Sequence, residues 1–337
     1  MTVLAIKQTA RYSVPCYELK TGLLDFSIDI LNKQRQVKLG WSWLGDSSLP
    51  VVVVLGGISA DRFVAYDELL DCNGWWESFV GINKAVNTQK YSVLSFDYLG
   101  GCATTRFLES DDKTLPISTS DQAKVLKHLI SKLSINHIHS IVGSSYGGMV
   151  ALAFSELYPE SLSQQIIISA ANKSHPRSTA LRQVQRSIVS FGIDAGNANQ
   201  GLSLARQLGL ITYRSKDEFL NRYDLENLTL GQQNLKSYLN INGEKFAKKF
   251  NPNAFLCLSH SIDSHQVEPT KIYTPSLFIS VDSDELVFPI QLEDLANNLN
   301  AQANHITIKS SYGHDAFLKE HQILKPIIQS TLETEYD

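Results

Sequence analysis

Cysteine is scarce in this sequence, and long apolar runs are missing. The four cysteines are Cys16, Cys72, Cys102 and Cys257. They have no paired metal-ligand spacing and form no dense framework, so we expect reduced thiols and neither a disulfide scaffold nor a metal site. No apolar stretch, at the N-terminus or elsewhere, approaches the roughly 18 residues of a membrane-spanning helix. These absences predict a cytoplasmic protein without a membrane partner.

A strong excess of charge is also missing. Lys and Arg number 30 against 34 Asp and Glu, the formal charge is −4, and the basic residues are scattered. This balance argues against nucleic acid as a partner. The chain has no internal repeat and no low-complexity tract. Its 337 residues, 43% of them hydrophobic, can bury a large core, most simply one core domain with an insertion.

Short apolar runs alternate with helical segments along most of the chain. Residues 22–30 and 36–44 alternate in polarity around a polar turn, which predicts an antiparallel pair of half-buried strands. Continuous apolar runs, typical of strands buried on both faces, lie at 50–55, 91–96, 138–142, 165–168, 276–281 and 305–308. Helical periodicity separates several of them. This alternation predicts an α/β fold with an open, mostly parallel sheet.

The pattern changes between about residues 170 and 268, where strand-like runs vanish and helical periodicity dominates. We interpret residues 170–268 as a helical lid inserted over the carboxyl end of the sheet. It would separate a first core segment at 1–169 from a second at 269–337. A second independent domain is the alternative, disfavoured because the α/β pattern resumes at Ile272 and neither junction carries linker-type sequence.

The most informative stretch is Gly143-Ser144-Ser145-Tyr146-Gly147, which follows a β-branched run and precedes helix-type sequence. A strand, a sharp Gly-x-Ser-x-Gly turn and a helix form the context of a nucleophile elbow. Side chains at Gly143 and Gly147 would collide with the flanking strand and helix, and the turn strains the backbone at Ser145. The motif predicts an exposed nucleophile at Ser145. A Gly/Ser-rich turn that only links strand to helix is the alternative.

Candidate partners of Ser145 come just past two later predicted strands. The strand at 276–281 runs into Asp282 and Asp284, and the strand at 305–308 is followed by His314. The chain order Ser, Asp, His is the one expected of an α/β-hydrolase triad. His314 would take the serine proton, and the aspartate would orient the imidazole and stabilise its protonated form. Spacing alone does not choose between Asp282 and Asp284.

The turn Gly56-Gly57-Ile58 follows the strand predicted at 50–55, where this fold places half of its oxyanion hole. The glycine pair lets the backbone amide of Ile58 turn toward the oxyanion, and the amide of Tyr146 would be the second donor. Each donor would stabilise the transition state by about 3–4 kcal/mol.

A longer series of motifs resembles the homoserine O-acyltransferases of the α/β-hydrolase superfamily. Besides the elbow it includes Gly74-Trp75-Trp76-Glu77-Ser78-Phe79, Leu99-Gly100-Gly101-Cys102, Leu181-Arg182-Gln183-Val184-Gln185-Arg186, Thr212-Tyr213-Arg214-Ser215, Ser237-Tyr238-Leu239, Phe250-Asn251-Pro252-Asn253 and Gly313-His314-Asp315-Ala316-Phe317. The resemblance implies ping-pong acyl transfer from acyl-CoA to the γ-hydroxyl of L-homoserine, in methionine biosynthesis. It implies acyl-CoA (succinyl-CoA or acetyl-CoA) as co-substrate, no permanently bound cofactor or metal, and a homodimer.

The resemblance also implies roles for single residues. It carries the triad over as Ser145, Asp284 and His314, and so favours Asp284 over Asp282. Arg214 matches the arginine for the acceptor's carboxylate, for which a planar guanidinium is suited. Asp315 matches the acid that meets the amino group, and Tyr238 is a candidate on the same wall. Arg182 and Arg186 are candidates for contacts with the CoA phosphates, with ordinary helix-face charges as the alternative.

The chain departs from the family pattern in three places. The elbow has Tyr146 where relatives usually have Met. The loop after Cys102 is shorter than in most relatives, and Ile58-Ser59-Ala60-Asp61 is closer to the Leu-Ser-Pro-Asp turn of succinyl-transferring members than to the His-Ala-Leu-Thr-Gly turn of acetyl-transferring ones. Succinyl and acetyl both stay open as the acyl group, and serine stays open as the acceptor. An esterase or thioesterase is an alternative function. A non-catalytic binding protein is another, which the complete set of triad residues disfavours.

Overall fold

The computed structural model describes residues 3–5, 19–30, 32–66, 73–107, 116–223 and 228–334. Cys16 and Cys72 lie outside these ranges. Burial raises the pKa of the Cys257 thiol and raises that of Cys102 to about 11. Within the described ranges, no three His, Cys, Asp or Glu side chains are grouped to hold a metal ion. No helix in this part of the chain is both long and apolar enough to cross a membrane.

A twisted sheet runs through the centre of the molecule. Its strands are β1 (Val3–Ala5), β2 (Leu19–Ile30), β3 (Lys33–Leu44), β4 (Val51–Leu55), β7 (Ser92–Phe96), β8 (Arg106–Phe107), β9 (Ile138–Ser144), β10 (Leu162–Ile168), β11 (Ser276–Val281) and β12 (Ala303–Ile308), while β5 (Val80–Gly81) and β6 (Val86–Asn87) form a separate pair. The order across the sheet is β1-β2-β3-β7-β4-β9-β10-β11-β12, and β8 pairs with β3. Strands β7, β4, β9, β10, β11 and β12 pair with their neighbours in parallel. The pairs β1–β2, β2–β3, β3–β7 and β3–β8 are antiparallel.

Helices cover the sheet and follow its strands. They are α1 (Thr119–Lys132), α2 (Tyr146–Leu157), α3 (Pro176–Asp194), α4 (Ala198–Tyr213), α5 (Lys216–Arg222), α6 (Leu228–Lys249), α7 (Pro252–Asp263), α8 (Pro289–Asn297), α9 (Ala316–Lys319) and α10 (His321–Leu332). Three-residue 3₁₀ turns lie at Pro159–Ser161, Pro269–Lys271 and Gly313–Asp315. The predicted α/β fold with a mostly parallel sheet is confirmed.

The central strands are buried on both faces, as their continuous apolar runs predict. In β4 the side chains of Val51, Val53 and Leu55 enter one apolar core, and those of Val52 and Val54 enter the other. Side chains alternate between the two faces of a strand. The first core is shared with α1 and α2, and the second with α10, so helices must cover both faces of this sheet.

The sequence patterns locate the elements better than their ends. Each strand of the β2–β3 hairpin begins three residues earlier than the alternation predicts, at Leu19 and at Lys33. The pairing runs from Ile30↔Lys33 at the turn to Leu19↔Leu44. Strand β9 continues to Ser144, which pairs with Ile168 of β10. Helices α5, α7, α9 and α10 were not predicted. Helix α7 begins at a good cap, since the Asn251 side chain accepts hydrogen bonds from the amides of Asn253 and Ala254 and Pro252 takes the first helical position.

Helices α3 to α7 occupy the sequence between β10 and β11. Gln185 of α3 and Tyr213 of α4 line the same cavity as Ser145, which stands at the carboxyl end of β9. These helices therefore lie over the carboxyl ends of the strands, where open α/β sheets bind their ligands. The division into core and lid segments at 169/170 and 268/269 stays a prediction.

Candidate active site

Ser145 lies at the sharp turn between β9 and α2. Its backbone is in a sparsely populated region, with φ 52° and ψ −120°. The turn is held because the Ser145 amide donates to the Ile168 carbonyl over 2.9 Å. A Cβ on Gly147 would come within 2.3 Å of the Leu55 carbonyl oxygen, and one on Gly143 within 2.5 Å of the Gly147 carbonyl oxygen. Glycine at both positions is thus required by the close approach of the backbones.

Ser145, His314 and Asp284 form one hydrogen-bonded series. The Oγ of Ser145 lies 2.8 Å from Nε2 of His314, and Nδ1 of His314 lies 2.7 Å from Oδ2 of Asp284. Both partners are buried, with His314 6% and Asp284 2% exposed. This is the geometry of a nucleophile, a base and the acid that orients the base.

Asp284 is held in place by the backbone that follows it. Its Oδ1 accepts hydrogen bonds from the amides of Leu286 at 2.8 Å and Val287 at 3.0 Å, so Oδ2 is left for His314. Asp282, the other carboxylate of this turn, is exposed and accepts a hydrogen bond from the Ser310 amide. The structure therefore brings Asp284, and not Asp282, to the imidazole.

Two opposed effects act on the His314 imidazole. Burial lowers the pKa of His314, while the charge of Asp284 and its hydrogen bond raise it, with a further contribution from Asp315. The pKa of His314 lies above its ordinary value as a result. The pair stabilises the protonated imidazole that would form when the serine proton is taken.

The two amides named for the oxyanion hole are available. Among the described residues, no hydrogen bond uses the backbone amide of Ile58 or of Tyr146. The Tyr146 amide is the first of α2, and the first amides of a helix have no acceptor within it. Gly56 is held from two sides, since its carbonyl accepts from the Gly147 amide at 2.8 Å and from the Tyr98 hydroxyl at 2.7 Å.

A cavity of about 180 Å³ opens in front of Ser145 and His314. Its other lining residues come from the Gly57–Ala60 turn, the loop at Trp75, the Gly313–Asp315 turn and helices α3, α4, α6, α7 and α9. They are Gly57, Ile58, Ser59, Ala60, Trp75, Gln185, Ala205, Arg206, Gly209, Tyr213, Phe246, Phe255, Ile262, Asp315, Phe317 and Leu318. The wall is mostly apolar, with Asp315 and Arg206 as its charged side chains besides the catalytic groups. A concave, mostly apolar space with a few polar groups is typical of a small-molecule site.

Asp315 lines this cavity, and Arg214 lies behind it. The Nε of Arg214 is 3.1 Å from Oδ2 of Asp315, and its Nη1 donates to Oε1 of Glu218 over 2.7 Å. Glycine at position 313 allows this approach. Its φ is 59°, and a Cβ at this position would lie 2.7 Å from the Tyr213 carbonyl oxygen. The structure thus pairs Arg214 with Asp315, but among the described residues Arg214 is not part of the cavity wall. Their roles toward an acceptor stay predictions.

Tyr238 is not brought to the same wall. Its ring packs 6.0 Å from that of Tyr223, and the Arg222 guanidinium lies 4.5 Å from its centre. Together these residues border a separate small cleft beside Arg214. Tyr238 is half-buried on α6 and does not line the cavity in front of Ser145.

Arg182 and Arg186 share one counter-ion, Asp263 of α7. Arg182 Nη2 lies 2.6 Å from its Oδ1 and Arg186 Nη1 lies 2.5 Å from its Oδ2, with all three side chains at most 14% exposed. The cluster joins α3 to α7. Both guanidiniums are buried and share a single carboxylate, so neither stands at an exposed rim where it would meet CoA in this structure.

Reasoning from the sequence missed Arg206 and the aromatic residues of the wall. Arg206 and Tyr213 are seven residues apart on α4, which places them on one face of the helix two turns apart. That spacing was a usable signal. Phe246 and Phe255 belong to helices whose facing side the periodicity alone does not reveal.

The family model described as the alpha/beta hydrolase fold matches residues 50–320. The fold and the Ser-His-Asp series therefore define an α/β-hydrolase-class protein. The chain is 34% identical over 304 residues to the homoserine O-succinyltransferase of Xanthomonas campestris pv. campestris, covering 89% of this chain and 80% of that one. It is 28% identical to the serine O-succinyltransferase of Litchfieldella anticariensis, covering 86% and 89%.

The solved structure of homoserine O-acetyltransferase from Bacillus anthracis has the same fold, with a TM-score of 0.83 at 16% identity and coverage of 96% of this chain and 100% of that one. On the 34% identity over most of both chains and the match to the fold's family model, the chain belongs to the homoserine O-acyltransferase family of the α/β-hydrolase superfamily.

Proposed function

We propose that this protein transfers an acyl group from acyl-CoA to the γ-hydroxyl of L-homoserine, as a cytoplasmic transferase of methionine biosynthesis. The observation that carries the proposal is the series Ser145, His314 and Asp284 at the wall of a small cavity, in a chain of this family. Acyl-CoA is a co-substrate that is consumed, and the reaction needs no permanently bound cofactor or metal.

In the first half-reaction Ser145 becomes acylated. Its Oγ attacks the thioester carbonyl carbon while Nε2 of His314 takes the hydroxyl proton, and Asp284 stabilises the imidazolium. The oxyanion is held by the amides of Ile58 and Tyr146. The C–S bond then breaks, and the CoA thiol leaves with the proton from His314.

In the second half-reaction the acceptor is acylated. The γ-hydroxyl of homoserine attacks the ester carbonyl, again losing its proton to His314, and the Ser145 Oγ leaves with that proton. Water would complete the same step as hydrolysis. The apolar wall formed by Phe246, Phe255 and Tyr213 supports transfer, because it limits the room for water around the ester.

The acceptor's charged groups are recognised beside His314. Asp315 faces the cavity and is placed to bind the ammonium group of an amino acid. Arg214 holds Asp315 by its charge and is the candidate for the acceptor's carboxylate. Because Arg214 lies behind Asp315 and is paired with Glu218, binding by Arg214 requires a carboxylate that reaches past Asp315.

The direct test is to incubate the protein with succinyl-CoA or acetyl-CoA, with and without L-homoserine, and to measure released CoA and products by mass spectrometry. We expect homoserine to accelerate CoA release and an O-acyl-homoserine to form. Ser145→Ala should lower the rate by about 10³-fold or more. CoA release that is equal without any acceptor would instead identify a thioesterase.

Serine is a second candidate acceptor. One relative, 28% identical, is named a serine O-succinyltransferase. Serine is one methylene shorter than homoserine, and a difference of this size changes binding by only about 1–3 kcal/mol. The same assay with L-serine in place of homoserine decides between them through the ratio of the two kcat/KM values.

We also propose a homodimer. The lid helices expose large apolar side chains, including Phe191 at 75%, Val184 at 51% and Ile241 at 50%, and exposed apolar groups of this kind are typical of interfaces. Sedimentation velocity should give a mass of about twice the 37.5 kDa of the chain. A monomer at micromolar concentration would contradict this proposal.

A further inference from the structure

The side chain of Tyr146 carries a hydroxyl into the protein interior beside the nucleophile turn. Tyr146 follows Ser145 in the chain, and its side chain is fully buried. Its ring packs edge-on against that of Tyr98, with the ring centres 4.9 Å apart. The proposed oxyanion hole uses only the backbone amide of Tyr146, and the Ser-His-Asp series does not involve its side chain. The hydroxyl is thus a buried polar group that the mechanism leaves without a role.

The Tyr146 hydroxyl joins three helices. Its oxygen lies 2.7 Å from Oγ of Ser261 on α7 and 3.3 Å from Nε2 of Gln122 on α1, while Tyr146 itself begins α2. Gln122 and Ser261 are buried as well. The hydrogen bond with Ser261 therefore ties α7, which belongs to the segment between β10 and β11, directly to the nucleophile turn.

The direction of these hydrogen bonds follows from Gln122. Its Oε1 accepts from the Leu99 amide at 3.0 Å and its Nε2 donates to the Leu99 carbonyl at 2.8 Å, which fixes the orientation of the side-chain amide. The second proton of Nε2 goes to the Tyr146 oxygen, so the tyrosine's own proton is left for Ser261. Burial raises the pKa of this hydroxyl, and it therefore keeps its proton at neutral pH.

Ser261 is the acceptor that the structure provides for the tyrosine proton. If α7 moved away from the core, the Tyr146 hydroxyl would remain among apolar side chains with its donor unpaired. Leaving a buried donor without a partner costs more free energy than an ordinary exchange of hydrogen bonds with water. The bond thus favours one position of α7 over displaced ones.

The position of α7 matters because this helix forms part of the cavity wall. Phe255 and Ile262 of α7 line the cavity in front of Ser145. The two residues are seven positions apart, which places them on one face of the helix about two turns apart, and Ile262 directly follows Ser261. A displaced α7 would withdraw both apolar side chains from an ester at Ser145, and water would reach that ester more easily.

We propose that the Tyr146 side chain is a positioning residue, whose hydroxyl fixes α7 through Ser261 so that the acyl-enzyme is attacked by the acceptor in preference to water. The inference rests on the proposed acyl transfer and adds the residue that protects the ester from hydrolysis. The hydroxyl acts through α7 and takes no part in the proton transfers of His314.

The test measures how the acyl-enzyme divides between transfer and hydrolysis in Tyr146→Phe, Ser261→Ala and the double variant. The readout is the ratio of O-acyl-homoserine to free acid, by mass spectrometry, at one fixed concentration of L-homoserine with succinyl-CoA or acetyl-CoA as donor. Both products come from the same acyl-enzyme, so this ratio does not depend on how fast Ser145 is acylated. Phenylalanine keeps the ring that packs on Tyr98, so Tyr146→Phe removes the hydroxyl alone.

The matched control is Tyr91→Phe, which removes another buried tyrosine hydroxyl, one that donates to the Leu332 carbonyl over 2.8 Å and does not line the cavity. We expect Tyr146→Phe and Ser261→Ala each to lower the ratio about 5- to 30-fold, the effect of one buried hydrogen bond. Tyr91→Phe should keep the wild-type ratio. Because both single variants break the same bond, the double variant should match either of them within about twofold.

Three results would overturn the proposal. A wild-type ratio in Tyr146→Phe would show that the hydroxyl does not protect the ester. An equal fall in Tyr91→Phe would show a general consequence of lost stability. Effects that multiply in the double variant would show that Ser261 does not transmit the effect of Tyr146.

Hydrogen exchange followed by mass spectrometry adds a readout that needs no substrate. The amides of α7 should exchange faster in Tyr146→Phe and Ser261→Ala than in the wild-type protein, and Tyr91→Phe should leave them unchanged. Unchanged exchange in α7 would also overturn the proposal. A wild-type protein that forms free acid and no O-acyl product would instead contradict the proposed function, and the exchange of α7 would still decide whether Tyr146 positions this helix.

Discussion

The imidazole of His314 sets the pH dependence that this site should show. Attack by Ser145 requires the neutral imidazole, and the pKa of His314 lies above its ordinary value because Asp284 outweighs the effect of burial. The two contacts that matter join residues far apart in sequence, since Ser145 and His314 are separated by 169 positions. The raised pKa therefore exists only in the folded protein.

We predict that kcat/KM for the acyl donor falls as pH is lowered, with the midpoint above the ordinary histidine value of 6.5. Below that midpoint His314 is protonated and cannot accept the serine proton. A profile from pH 5 to 9 measures it. Asp284→Asn should lower the rate by about 10⁴-fold and move the midpoint to lower pH. A rate that is flat across the range would contradict a histidine base.

Arg214→Ala should separate the two half-reactions. We expect kcat/KM for homoserine to fall about 100-fold or more, because the acceptor loses a cationic partner and Asp315 loses its counter-ion. Acyl-enzyme formation should change little. Stopped-flow CoA release and steady-state rates with varied homoserine measure the two effects. The matched control is Arg222→Ala, which removes a more exposed arginine from the same Glu218. Equal loss in both half-reactions would rule out a role confined to the acceptor.

At the scale of elements, the strand-turn-helix unit of β9 and α2 depends on contact with β4. The backbone of Gly147 packs directly on Leu55, and its amide donates to the Gly56 carbonyl. One glycine thus links the nucleophile turn to the turn that carries Ile58, whose amide we propose as an oxyanion donor. Stability and activity should respond together when this contact is disturbed.

Gly147→Ala is expected to lower the free energy of unfolding by about 1–3 kcal/mol, because a Cβ there would lie 2.3 Å from a backbone oxygen that cannot move aside. Gly57→Ala is the control, since no atom lies within 4 Å of a Cβ at that position. Urea unfolding followed by circular dichroism measures both. If Gly147→Ala were as stable as Gly57→Ala, the close approach of the backbones would not be a stability constraint.

The packing of helix α3 against helix α7 should depend in a similar way on Asp263. It is the shared counter-ion of Arg182 and Arg186 and joins α7 to α3. Asp263→Asn leaves two buried guanidiniums without a negative charge, and we expect it to lower the free energy of unfolding by about 3–5 kcal/mol. Glu285→Gln breaks the half-exposed pair with Arg177 and should change it by less than about 1 kcal/mol. Similar small losses in both variants would show that the Asp263 cluster is not important to stability.

At the scale of the whole molecule, apolar periodicity was sufficient to predict the sheet. Strands such as β4 and β11 are buried throughout, so their sequences are unbroken apolar runs with few other interpretations. The lid helices are less well predicted. Each buries one face against other helices, as α4 does against α3 and α6. Short helices such as α5 are marginally stable alone and form only with tertiary contacts.

The sequence by itself determined the main strands, the nucleophile turn and the chain order of a serine, an aspartate and a histidine, because these follow from local backbone sterics and from the alternation of strands and helices. The family resemblance favoured Asp284, and the tertiary structure brings Asp284 to His314. Only the tertiary structure decided which charges are paired. Asp263 pairs with both Arg182 and Arg186, and Glu218 and Asp315 hold Arg214. Among the described residues, Arg206 faces the cavity without a counter-ion. The reason is physical: Coulombic and hydrogen-bond energies depend on distances in space, and Arg186 meets Asp263 across 77 positions of sequence.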